Sequence, residues 1–213
     1  HFKDIETGAI IITGESLKAT NARDTVMGLA EELGDFVVAT AGPHLESIIA
    51  GRGSGAAAWS EKNAATVLNI DIGGGTANYA VFTQGRVADT ACLNVGGRLV
   101  EVDPRGRATR VHAPAAPVVA DVLDPGQADL GPQQLAQVAG RMADMIYRVA
   151  VGEHDPLAEV LLQTPPLKAG WTYDAVFVSG GVGDCLYGAS AGEPFRFGDM
   201  GRSWPRPCAP TGA

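Results

Sequence analysis

The sequence predicts an α/β domain, with helices and β-hairpins layered on a mixed sheet. Three observations carry that prediction. Short apolar runs rich in β-branched residues recur at residues 8–13, 36–41, 65–72 and 175–179, and read as buried strands. Between the third and fourth runs lie two hairpin patterns, one turning at Gln84-Gly85 and one at Pro104-Arg105-Gly106. Residues 133–151 place Leu135, Val138, Met142, Met145, Ile146 and Val149 at helical spacing, the strongest helix signal in the chain.

Taken in order, residues 8–13 (GAIIIT) form a first strand. Thr20 and Asn21 are capping residues for a helix running to about Leu33, and Gly34 ends it. Residues 36–41 (FVVATA) form a second strand, and Pro43 suits the first turn of a helix over residues 43–50. Residues 51–58 are small and read as flexible; Gly51-Arg52-Gly53-Ser54-Gly55 follows a helix, not a strand, so it is a linker and not a dinucleotide fingerprint. A third strand over residues 65–72 breaks at Gly73-Gly74-Gly75, and strands over 77–83 and 86–94 follow. Residues 98–103 and 107–112 make the second hairpin. Residues 113–132 hold four prolines and read as irregular. After the long helix, a short one covers residues 156–163, and a last strand at 175–179 runs into Ser179-Gly180-Gly181-Val182-Gly183.

Composition narrows the function. The 213 residues can bury a real core, roughly 70% of the surface of the unfolded chain. Sixteen basic against 24 acidic residues give a net charge of −8, which argues against nucleic acid or an anionic membrane as partner. It leaves a nucleotide site open, because backbone N–H groups and a metal ion can build one. Cys92, Cys185 and Cys208 are far apart and lack zinc spacing, which suits a reducing cytosol. No apolar run reaches the ~18 residues of a membrane span. His1-Phe2-Lys3-Asp4 has none of a signal peptide's regions.

The best chemical signal is Asp71-Ile72-Gly73-Gly74-Gly75-Thr76, between two strands. Glycines let a phosphate approach the backbone, and their N–H groups can point at it. Thr76 adds a hydroxyl, and Asp71 at the strand's end can hold a hydrated Mg²⁺ bridging phosphate oxygens. The plainer reading is a glycine-rich hairpin with Asp71 bonding its own turn. The second cluster, Ser179 to Gly183, also ends an apolar strand, and its glycine pair would let a flat ring lie against the backbone. Carboxyl ends of strands are where open α/β sheets bind ligands. Arg98 follows the Gly96-Gly97 turn, and reaching a phosphate or serving the surface are equal readings of it. His112 and His154 are isolated, and Cys92 reads as a small core residue.

Four segments, in order, resemble the actin/Hsp70/hexokinase ATPase superfamily. Residues 71–76 resemble its second phosphate motif, and residues 179–183 its adenosine motif. Residues 41–51, through Ala41-Gly42-Pro43, resemble its first connecting helix, and Asn94-Val95-Gly96-Gly97 its glycine-pair loop. Closer still, TGAIIITGES, FVVATAGPHLESIIAG, VLNIDIGGGTANYAVF, ACLNVGGRLVEVD and VSGGVGDC resemble the EutA family of reactivating factors of ethanolamine ammonia-lyase, from about Thr7 to Gly201.

The resemblance implies a ribonuclease-H-like, actin/Hsp70-type ATPase fold. Residues 1–64 would be the C-terminal part of the first lobe with the connecting helix, residues 65–200 most of the second lobe, and residues 201–213 an irregular tail. It implies ATP and Mg²⁺ as cofactors. Asp71 would hold the Mg²⁺ through water, and Gly73, Gly74, Gly75, Thr76, Gly96, Gly97, Ser179, Gly180, Gly181 and Gly183 would bind the nucleotide. The role implied is a chaperone that releases damaged cobalamin from ethanolamine ammonia-lyase so that intact adenosylcobalamin can replace it. The lyase would be the protein partner, a homo-oligomer is admissible, and the place is the bacterial cytoplasm, beside the ethanolamine microcompartment.

The sequence departs from the superfamily pattern at three places. Nothing in residues 1–13 serves as a first phosphate motif, so the chain reads as a fragment beginning inside the first lobe. Where Hsp70-type members carry a catalytic acid before the connecting helix's proline, this chain has Gly42. His44 and Glu46 are the neighbouring candidates to orient a water, against the simpler readings of a helix-capping His44 and a solvent-facing Glu46. Hydrolysis is therefore expected to be slow and to serve switching. Last, RSWPRPCAPTGA replaces an apolar helix after Gly201, since Pro205, Pro207 and Pro210 forbid one. Two other functions fit the same residues: a small-molecule kinase, for which no general base stands out, and a scaffold that binds a partner without hydrolysis.

Overall fold

The computed structural model describes residues 8–12, 28, 36–40, 42–124, 129–187 and 195–205. The α/β expectation holds. Strands β1 (Gly8–Ile12) and β2 (Phe36–Thr40) pair in parallel, from Gly8 opposite Phe36 to Ile12 opposite Thr40. Parallel neighbours need a crossover between them. The expected helix from Thr20 to Leu33 lies outside the described residues except at Gly28, which is helical.

The main sheet contains β3 (Thr66–Ile72), β4 (Ala77–Thr83) and β5 (Arg86–Leu93). After β6 (Val100–Val102) and β7 (Ala108–Val111), which form a separate antiparallel pair, it is completed by β8 (Ala175–Ser179). Its order is β5-β4-β3-β8, with the first three antiparallel and β8 parallel to β3. The β4–β5 hairpin turns at Gln84 (φ 51°) and Gly85 (φ 76°). Two successive left-handed residues match the twist of the strands they join.

Alternation along β3 and β4 explains why the sheet is covered on both sides. Val67, Ala80 and Phe82 face one layer with Ala56 and Ala57. That layer consists of α1 (Pro43–Gly53) and α2 (Ala56–Asn63). Leu68, Ile70, Ile72, Tyr79 and Val81 face the other, against Leu135, Val138, Met142, Met145 and Ile146. Those five lie on α4 (Pro132–Val151), which follows α3 (Ala116–Val122) and precedes α5 (Pro156–Leu161) and α6 (Gly180–Leu186). Gly152 ends α4 in the left-handed region at φ 73°.

Two segments differ from expectation. Residues 51–58 are helical on either side of Ser54-Gly55, not a flexible linker. Gly51 has no room for a Cβ because the Phe82 ring occupies that place, so this glycine serves close packing of α1 on β4. Within residues 113–132, Ala113–Ala115 form a 3₁₀ turn and α3 follows directly. Pro114 and Pro117 fall in first turns, where a missing N–H breaks no helical bond. Of the expected tail, Gly201–Ser203 form a 3₁₀ turn and Trp204 is buried in the main core. Residues 206–213 lie outside the described residues.

One partly buried ion pair ties the helical layer together. Arg141 on α4 makes two hydrogen bonds to Asp155, at 2.7 and 3.1 Å, and a third to Asp121 on α3 at 2.6 Å. Asp155 also caps α5, accepting the N–H groups of Leu157 and Ala158. The Arg141 hydrogen bonds are the main cause that holds the Asp155 carboxyl at about 2, with the two capping N–H groups adding to it. Because the folded value lies below that of the unfolded chain, the pair's stabilisation is complete above about pH 4 and is lost as pH falls through 2. Asp155→Asn, which keeps the cap, is expected to cost about 2 kcal/mol at pH 7. Thermal unfolding of both chains from pH 7 to pH 2 checks this: the gap between them should close on acidification.

Candidate functional site

The site is built where β3 and β8 end together. Their register sets Asp71 beside Ser179, although 108 residues separate them. The Ser179 hydroxyl donates to Asp71 Oδ1 at 2.8 Å. Behind it, fully buried Asn69 donates to the Ser179 hydroxyl at 3.3 Å and accepts from the Ser54 hydroxyl at 2.7 Å. Ser54, between α1 and α2, thus sits at the far end of a relay that orients Asp71. Among the described residues, Asp71 Oδ2 accepts no hydrogen bond.

Past Ile72 the chain turns through Gly73, Gly74 and Gly75, closed by the Gly73 N–H donating to the Thr76 carbonyl at 3.0 Å. The glycine-pair loop lies against this turn. Gly97 N–H donates to the Gly73 carbonyl at 2.9 Å and Arg98 N–H to the Gly74 carbonyl at 2.7 Å. A Cβ on Gly96 would stand 2.6 Å from the Gly74 carbonyl, and one on Gly97 would stand 2.7 Å from Val182. Gly180, at φ 84°, packs so closely under the end of β3 that a Cβ there would meet the Ile72 carbonyl at 2.5 Å. Among the described residues, the N–H groups of Gly74 and Gly75 donate to no acceptor, so they remain as donors for an anion.

Together these loops enclose a cavity of about 290 Å³. Gly73, Gly74, Gly97 and Gly181 line it, so the structure brings all three predicted glycine clusters to one place. Gly75, Gly96, Gly180, Gly183, Ser179 and Asp71 do not line the cavity; Gly96 and Gly180 pack directly against the Gly74 and Ile72 carbonyls. Thr76 is buried, its hydroxyl accepts from the Asn78 side chain at 3.3 Å, and it is not part of the cavity lining. His44 and Glu46 are on α1, outside this cavity. His44 Nδ1 bonds the Thr90 hydroxyl at 2.6 Å.

Sequence reasoning missed the far wall. Asp184 and Cys185 come from α6, and Phe197, Asp199 and Gly201 from a strap that follows it. The strap is pinned by Met200 N–H to the Gly97 carbonyl at 3.0 Å and Val102 N–H to the Gly198 carbonyl at 3.0 Å. No motif marks the strap contacts; Asp184 and Cys185 directly follow Gly183. Among the described residues, no group of three or more His, Cys, Asp or Glu side chains could hold a metal. No helix of the described residues is long and apolar enough to cross a membrane.

Two motif glycines that look alike in the sequence should respond differently to a methyl group. Gly96→Ala forces backbone apart and is expected to cost about 1–3 kcal/mol. Gly75→Ala meets open space and should stay within about 0.5 kcal/mol of the parent. Melting curves of the two variants, recorded side by side, check the difference.

Comparison with known proteins gives close and distant likenesses. The chain is 53% identical over 201 residues to the ethanolamine ammonia-lyase reactivase EutA of Salmonella typhimurium, and 52% identical to that of Escherichia coli K12. Each match covers 93% of this chain and 43% of the relative, so the chain spans less than half the length of the curated relatives it matches. Among solved structures, the Aquifex aeolicus Ppx/GppA enzyme is similar at 17% identity and a TM-score of 0.48, over 86% of this chain and 47% of that one. MreB5 of Spiroplasma citri bound to AMPPNP is similar at 22% identity and a TM-score of 0.26, over 42% of this chain and 24% of that one. Residues 1–205 match the family described as ethanolamine utilisation protein EutA, and the chain belongs to that family.

Proposed function

We propose that this chain is the nucleotide-holding part of an ATP-dependent reactivating chaperone of ethanolamine ammonia-lyase, built on an actin/Hsp70-type ATPase fold. The observation that carries the reading is the convergence of the Gly73-Gly74 turn, Gly97 and Gly181 on one cavity at the carboxyl ends of two parallel strands. Family membership adds the partner, since the relatives' own names give the lyase as what they reactivate.

In this reading the terminal phosphates rest on the free N–H groups of Gly74 and Gly75. The nucleoside lies toward Gly181 and the strap. The residues present suit a magnesium ion carried mainly by water and phosphate oxygens, with Asp71 orienting its hydration shell through the oxygen that Ser179 leaves free. The ion would offset phosphate charge. Hydrolysis would be slow, because neither His44 nor Glu46 lines the cavity and His44 is engaged by Thr90. A nucleotide that favours a closed arrangement would shift affinity for the lyase by its differential affinity for that arrangement, and damaged cobalamin would leave in the course of the shift. The site of action is the bacterial cytoplasm, at the ethanolamine microcompartment. Residues 1–64 would belong to the first lobe and residues 65–200 to the second.

Calorimetric titration with Mg²⁺-ATP tests the reading. The parent chain should bind, and Asp71→Ala should weaken binding tenfold or more, about 1.4 kcal/mol. Equal binding by the two chains would remove Asp71 from the site. A folded parent chain that binds no Mg²⁺-ATP would overturn the nucleotide reading.

A further inference from the structure

We propose that Arg98 is the side chain that reads the terminal phosphate of the nucleotide. This rests on the nucleotide reading above and adds to it the residue that separates a triphosphate from a diphosphate. Three observations converge on it. Arg98 is the only basic side chain on the cavity wall among the described residues. Its backbone is clamped to the glycine turn by its N–H bond to the Gly74 carbonyl at 2.7 Å, and its Cβ stands 3.2 Å from where a Gly74 Cβ would be. The side chain therefore rises from the tip of the turn, beside the donors that would hold the terminal phosphates.

The third observation concerns what else could occupy the guanidinium. Arg98 is exposed, and among the described residues it makes no ion pair. Glu101, which feels its charge, is held instead by His112 at 2.7 Å. The remaining charges on the cavity wall are the carboxylates Asp184 and Asp199. A polyphosphate in the same cavity is repelled by these two and drawn to the one cation, so the charge pattern fixes which way the nucleotide lies. Arg suits the task because its planar fork can meet two phosphate oxygens at once, whereas a lysine offers a single point charge. The glycine at position 74 serves the same end: a side chain there would crowd the base of the arginine.

The test is titration of the parent chain, Arg98→Gln and Arg98→Lys with Mg²⁺-ATP and Mg²⁺-ADP, with a melting curve for each. The parent should prefer ATP. Arg98→Gln should lose tenfold or more in ATP affinity, change less than threefold for ADP, and melt within two degrees of the parent. Arg98→Lys should recover part of the ATP affinity. Unchanged ATP binding in Arg98→Gln, or an equal loss for ATP and ADP, would overturn the role of Arg98 while leaving the nucleotide reading in place. A parent chain that binds neither nucleotide would overturn both.

Discussion

The close approach of Gly96 to the Gly74 carbonyl is the contact on which the rest of the site depends. The β3–β4 hairpin turn and the β5–β6 connection meet with no side chain between them, which lets two amides of one bond two carbonyls of the other. That pairing engages the Gly73 and Gly74 carbonyls and, among the described residues, leaves the N–H groups of Gly74 and Gly75 without an acceptor. It also seats Arg98 beside the turn and hands the Gly97 carbonyl to the strap, through Met200. One contact thus sets a donor pair, a cation and the opposite wall. A larger residue at Gly96 would disturb all three together, because packed backbone cannot yield as a flexible side chain can.

A second constraint acts from behind the wall. Asp71 is oriented by Ser179, Ser179 by Asn69, and Asn69 by Ser54, so the carboxylate reports on the junction between α1 and α2. Asn69 is wholly buried, and its side chain is satisfied only when both serines are in place. The helices that precede the phosphate turn in sequence are therefore coupled to its acid through hydrogen bonds, and not only through packing of Gly51 on Phe82. Under the proposed switching role, such a relay would be a direct route from a helix movement to Asp71.

The strands were legible as short apolar runs rich in β-branched residues, and the long helix by its helical spacing from Leu135 to Val149. The glycine clusters were legible as possible backbone-approach loops, and their order along the chain named the family. Residues 51–58 misled because glycine signals flexibility in isolation, while here Gly51 is a packing residue whose partner, Phe82, lies on a later strand. Residues 113–132 misled because proline was read as a breaker where it starts a helix. Phe197 and Asp199 were illegible in principle: their place on the cavity comes from the long-range backbone bonds of Met200 to Gly97 and of Val102 to Gly198, which leave no local pattern, whereas Asp184 follows Gly183 directly on α6 and was passed over.

The charge of the chain sharpens what the cavity must do. A net charge of −8 repels a nucleotide at a distance, so no general field can draw it in. Screening limits that repulsion to about 8 Å at physiological salt, and inside that range the fixed local groups decide. Backbone N–H groups in a glycine turn supply directed partial charge at no cost in side-chain ordering, which a cluster of lysines could not do. One arginine, seated by its own backbone bond, would then suffice to tell the phosphate end from the end guarded by Asp184 and Asp199. An anion site of this kind works within an acidic protein because it depends on geometry at short range, and the Gly96–Gly74 contact is what sets that geometry.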